Sequence, residues 1–162
     1  MTADTFVRTV LPGMKACCAV IHVSGAAGAK FVQYTAEFES GGELGGTDAQ
    51  RFIFVLEGSL QLEVDGPKNK LGANAYAYLP AGSQHRVVAA SSSRAAVIEK
   101  PYQPLSSAMP PKLLISSEDR VSSHALGDDP GLQVKCLLPD DMAFDFAVNT
   151  MVYQPGAALS MV

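Results

Sequence analysis

Leu60, Leu62 and Val64 alternate with Ser59, Gln61 and Glu63, the period of a strand with one face in a core and the other in water. Just before it, Phe52-Ile53-Phe54-Val55-Leu56 is continuously apolar, as in a strand covered on both faces. Glu57-Gly58 separates the two runs and predicts a bend or bulge where the sheet curls. Asp65-Gly66-Pro67 followed by Lys68-Asn69-Lys70 reads as the polar turn of a hairpin. Lys30 to Phe38, Ala75 to Leu79, Arg86 to Ala90 and Ala95 to Glu99 complete a set of strands about ten residues apart, the spacing of an all-β sandwich or barrel. No stretch keeps a helical period, so at most a short helical turn is expected.

The pattern changes at Pro101 to Lys112, where four prolines in twelve residues cannot donate to a ladder and favour extended backbone. Beyond it, Lys112 to Ser116, Val134 to Leu138 and Ala147 to Tyr153 are further strand candidates, too few to close a domain. The expected organisation is a barrel over residues 1–104, a Pro/Ser/Gly-rich connector over 105–133, and the first strands of an incomplete second domain over 134–162.

Composition narrows the function classes. The chain has 162 residues, 48% of them hydrophobic, and 12 Lys+Arg against 16 Asp+Glu give a net charge of −4. With no basic block, neither nucleic acid nor an anionic membrane surface is an expected partner. The first ten residues lack the charged and apolar regions of a signal peptide, and Ala16 to Ala29 is too short and too often interrupted to span a bilayer, so a cytoplasmic protein is expected. Three cysteines, Cys17, Cys18 and Cys136, form no CxxC pair and read as reduced, small hydrophobes.

Two short phrases carry candidate chemistry. Pro80-Ala81-Gly82-Ser83-Gln84-His85 is similar to the second cupin motif, P-x-G-x-x-H, whose histidine is a metal ligand at the barrel mouth. Arg51 to Gly58 resembles the end of the first cupin motif, where a glutamate ligand and a glycine are separated by six residues. Here Arg51 stands in the glutamate's place, and Gly41 to Gln50 offers no histidine, so one ligand of four remains. A divalent cation needs at least three protein ligands, and an arginine opposes it, so a metal-free barrel is expected.

Over most of the chain the resemblance is closer still. Arg51 to Gly58, Ala75 to Pro80, Glu99-Lys100-Pro101-Tyr102, Leu137-Leu138-Pro139, Phe144-Asp145-Phe146 and Gln154-Pro155-Gly156 together are similar to the (S)-ureidoglycine aminohydrolase family, bicupin enzymes of purine (allantoin) breakdown. The resemblance implies an all-β cupin barrel, a double-stranded β-helix or jelly roll, plus the opening strands of a second. It implies a metal-free first barrel and, in the second, a Mn²⁺ site that hydrolyses ureidoglycine to ureidoglycolate and ammonia. In the family the phrase matching Pro155 to Val162 leads into an E-x-H-x-x-x-H run of metal ligands, which this sequence does not contain. The chain is therefore expected to be truncated and inactive alone, with no cofactor of its own.

Arg51, Tyr76, Tyr78 and His85 are the candidate lining of a first-barrel cavity for a small ureide or carboxylate, since a guanidinium fork suits such anions. Each has a plainer reading. Arg51 can pair with Glu43, Asp48 or Glu57; the tyrosines can be core or subunit interface; His85 can be held by backbone or water. Two other function classes stay open: a metal-free binding module for a small anion, and an assembly protein that pairs through bare strands after Lys112. Those strands lead to the expectation of a homo-oligomer, a dimer or larger.

Overall fold

The computed structural model describes residues 7–105, 109–127 and 129–158. The chain divides into two units, Met1–Gln103 with Lys112–Ser116, and Pro104–Pro111 with Ser117–Val162. Among the described residues no helix is long and apolar enough to cross a membrane.

The first unit is a curled, largely antiparallel sheet of β1 (Arg8–Thr9), β2 (Met14–Val23), β3 (Val32–Leu44), β4 (Gln50–Glu57), β5 (Ser59–Val64), β6 (Lys68–Gly72), β7 (Ala75–Leu79), β8 (His85–Ala89), β9 (Ser93–Lys100) and β10 (Leu114–Ser117). Its order is β10-β7-β4-β9-β3-β8-β5-β6, with β2 laid on β3 and β1 on β2. The long β3 turns the corner: Val32 to Phe38 pairs with β9, whereas Glu43-Leu44 pairs with β8. Between the two, a Cβ on Gly42 would lie 2.3 Å from the Ala16 carbonyl oxygen, so only glycine admits the approach of β2 there. Inside the curl, Phe38, Leu44, Ile53, Leu62, Leu79 and Val97 are almost completely buried. Burying each such side chain contributes roughly 1.5–3 kcal/mol, which is what holds the sheet closed.

The strands expected from alternation appear: β7 has the expected bounds, β4 and β9 gain a residue or two at each end, β8 is shifted by one, and β3 begins at Val32 and runs six residues past Phe38. The ladder of β4 with β9 shifts register between Val55 and Glu57, and Gly58 follows at φ +81°, so the sheet does bulge between the two runs. Besides the two-residue β1, which was not expected, two elements of this unit differ from the sequence reading. Lys68-Asn69-Lys70 is strand rather than turn, because Gln61 to Glu63 supplies it with ladder partners. And β2, a ten-residue strand, left no alternating signal: its register on β3 slips at Lys15/Cys17 and Ile21/Val23, which scrambles the order of buried and exposed positions.

The second unit holds β11 (His124–Leu126), β12 (Asp129–Cys136) and β13 (Asn149–Tyr153), antiparallel in that order. Two of its strands thus begin within residues 105–133, in the stretch read as connector. Leu132, Val134, Leu137 and Leu138 are buried, while Met151, Val152 and Tyr153 on the outer strand β13 are exposed. Short 3-10 turns at Gly25–Ala27 and Glu118–Arg120 are the helical elements among the described residues.

A candidate site around a buried arginine

Arg51 enters the barrel because β4 alternates: Arg51, Ile53 and Val55 point into the core, and Phe52 takes the opposite face with Tyr76. Its side chain is 2% exposed. In the β4–β9 register Arg51 stands opposite Glu99, so the pair is a direct cross-strand contact. Nε donates to Glu99 Oε1 at 2.8 Å, and Nη2 lies 2.6 Å from the same oxygen. Tyr34 on β3 donates its hydroxyl to that oxygen as well, at 2.7 Å.

The guanidinium also reaches β8. Arg51 Nη1 donates to the Gly45 carbonyl at 2.6 Å and lies 2.7 Å from His85 Nε2. His85 opens β8 after a tight turn in which Ser83 N donates to Pro80 O. Its Nδ1 lies 2.9 Å from the Ser83 carbonyl oxygen. A carbonyl accepts only, so Nδ1 carries the proton and Nε2 offers its lone pair to Arg51. Burial, and then the neighbouring Arg51 charge, holds the imidazole below the usual histidine range, so it is neutral. Burial likewise pushes the Tyr34 hydroxyl well above the usual tyrosine range.

Of the four expected site residues, the structure brings Arg51 and His85 together. Tyr76 and Tyr78 are set apart from them: Tyr76 stacks on Phe52 at a centroid distance of 5.6 Å, and Tyr78 donates to Gln50 Oε1 at 2.8 Å. The three acids weighed as partners of Arg51 are not the ones it uses. Glu43 binds Arg86, Glu57 binds Arg94 at 3.0 Å, and among the described residues Asp48 makes no ion pair with Arg51. Glu99 and Tyr34 were not foreseen. Their signal lay in inward alternation along Ala95 to Glu99 and Lys30 to Phe38, which names a face without naming the partner strand.

The arrangement is a charge-balanced hydrogen-bond network rather than acid–base machinery. His85 Nε2, the atom that the P-x-G-x-x-H pattern offers to a metal, is taken by Arg51, and among the described residues no group of three His, Cys, Asp or Glu is placed to hold a metal ion. The residues around Arg51 therefore do not fit a divalent cation. The cysteines offer no reactive thiolate near β2 either: burial pushes the Cys17 thiol up to about 12 and raises Cys18. Beside the network lies a cavity of about 240 Å³ lined by Leu11, Pro12, Val32, Tyr34, Gly46, Thr47, Arg51 and Glu99.

Comparison with known proteins agrees with the fold. A cupin-domain family model matches residues 37–99, the span that carries Arg51, His85 and Glu99. (S)-Ureidoglycine aminohydrolase of Arabidopsis thaliana is 31% identical over 99% of this chain, and that of Escherichia coli K12 is 26% identical over 98%. The chain spans 54% and 62% of those two proteins. The crystal structure of the E. coli protein YlbA superposes with a TM-score of 0.84 at 24% identity, covering 98% of this chain and 64% of that one.

Proposed function

From a chain that has the cupin fold and resembles (S)-ureidoglycine aminohydrolases along nearly its whole length, we propose a role as the metal-free barrel of such a hydrolase. The reaction would break the C–N bond to the amine of ureidoglycine, form a C–O bond to water, and release ammonia with ureidoglycolate. Mn²⁺ would supply Lewis-acid activation when bound by ligands outside this barrel. The barrel's own residues would do something different: Arg51 ties β4, β9 and β8 into one rigid scaffold through Glu99 and His85. A cytoplasmic setting and assembly into homo-oligomers belong to the same reading.

The observation that carries it is the 2.7 Å contact from Arg51 Nη1 to His85 Nε2, which puts a fixed cation on the imidazole lone pair a metal would need. The sequence also holds no E-x-H-x-x-x-H run. The 162-residue chain given Mn²⁺ and ureidoglycine is therefore expected to release no ammonia above the uncatalysed background, while the E. coli relative serves as the active control. Turnover of about 1 s⁻¹ or faster, the range of ordinary enzymes, would overturn the proposal.

A further inference from the structure

We propose that the cavity beside Arg51 and Glu99 binds a neutral ureido or primary-amide group, and not an anion; the proposal goes beyond the hydrolytic reading and stands or falls independently of it.

Donors, acceptors and charges around the cavity decide which group fits. Arg51 has five N–H groups. Nη1 has both its hydrogens committed, one to Gly45 and one to His85, and Nε spends its single hydrogen on Glu99. Nη2 lies against Glu99 Oε1, which takes one of its two hydrogens at most, leaving one donor. On the carboxylate, the hydrogen bonds of Tyr34 and Arg51 and the Nη2 contact all fall on Oε1, and no described residue donates to Oε2. Glu99 is 21% exposed at its side chain and lines the cavity, as Arg51 does.

The pair thus presents one acceptor oxygen beside one spare N–H. A ureido or primary-amide edge is the complement, its N–H donating to Glu99 Oε2 and its C=O accepting from Arg51 Nη2. Charge points the same way. Arg51 and Glu99 cancel, and His85 and Tyr34 are neutral, so a carboxylate ligand would be desolvated next to the Glu99 charge with no free cation to meet it. Leu11, Pro12 and Val32 supply the apolar wall against which the rest of a small ligand would pack. About 240 Å³ suits a ligand of a few non-hydrogen atoms.

The test uses the full 162-residue chain and amide-detected NMR, with methylurea as the ureido probe and acetate as the anion. Methylurea up to about 50 mM, the weak affinity expected of so small a ligand, should give saturable shifts at Leu11, Gly46, Thr47 and Glu99, and acetate none. Glu99→Gln, which replaces the acceptor pair by an amide, should weaken methylurea binding at least about tenfold. Leu11→Trp leaves the Arg51–Glu99 pair intact and fills the cavity, so it should abolish binding even if Glu99→Gln does not fold. Acetate binding as tightly as methylurea, shifts that rise linearly without saturation, or methylurea binding that survives Leu11→Trp would each overturn the proposal.

Discussion

A guanidinium buried to 2% exposure is costly unless every N–H finds a partner, because the desolvation of a charge exceeds what one ion pair returns. Arg51 comes within one N–H of that condition through a carboxylate, a carbonyl and an imidazole nitrogen, leaving a single Nη2 hydrogen beside the cavity that it lines. The third partner has a consequence for pH. His85 must keep its Nε2 lone pair, so the folded state resists protonation while the unfolded chain takes a proton at the ordinary value of about 6.5. A folded pKa held below the unfolded one means stability is complete above about pH 6.5 and is lost as pH falls from there toward the depressed folded value. The loss can reach about 1.4 kcal/mol per pH unit over that window. Urea unfolding at about pH 8 and about pH 5.5 should show it in the native chain, and much less in His85→Gln, which cannot titrate. Glu37 and Glu43, held low by Arg8 and Arg86, act only below the ordinary carboxylate range and do not confuse the comparison. An equal pH slope in both proteins would mean that Arg51 does not hold His85 neutral.

The bulge after β4 is the best test of the elements, since it was legible in the sequence and its geometry is now explicit. Gly58 has φ +81°, and a Cβ there would sit 2.3 Å from Ser93 Oγ and 2.7 Å from the Ser92 carbonyl oxygen. Ser93 cannot simply swing away, because its hydroxyl bridges the Ser59 amide and the Ser91 carbonyl. Gly58→Ala is expected to cost about 2 kcal/mol or more, from strain and collision together. Gly72→Ala, with nothing within 4 Å of the added methyl and no positive φ, should stay within about 0.5 kcal/mol. Melting temperatures of the two variants check the contrast, and equal shifts would refute it. Elements such as this were readable because one local signal sufficed: alternation for β5, an apolar run for β4, Glu57-Gly58 for the bulge. What stayed hidden needs information from another strand. The slip of β2 on β3 at Lys15/Cys17 falls where the Ala16 carbonyl closes on Gly42, and Lys68 to Lys70 becomes strand only because β5 lies beside it. The site divides the same way. Within short phrases Arg51 stood out as a departure and His85 as a match, but Glu99 and Tyr34 were fixed by cross-strand register, which no short phrase encodes.

At the scale of the whole molecule the two units differ in how well their strands are covered. In the barrel, β4 and β9 are paired on both sides, and their apolar residues are buried. In the second unit, β13 pairs only with β12 among the described strands, and Met151, Val152 and Tyr153 are 43%, 57% and 43% exposed. An outer strand with bare apolar side chains and unpaired amides is a template for pairing with another chain. The net charge of −4 over 162 residues supplies little repulsion against such contact. Self-association that grows with concentration is therefore expected, and light scattering over about a hundredfold dilution should detect it. Val152→Lys puts a charge in the middle of the open strand, at a side chain already more than half exposed. It should shift the protein toward monomer while moving its melting temperature little, because surface changes of this kind cost within about 0.5 kcal/mol. A native chain that is monomeric at every concentration, or a Val152→Lys variant that associates as strongly as its parent, would show that β13 is not the surface through which copies meet.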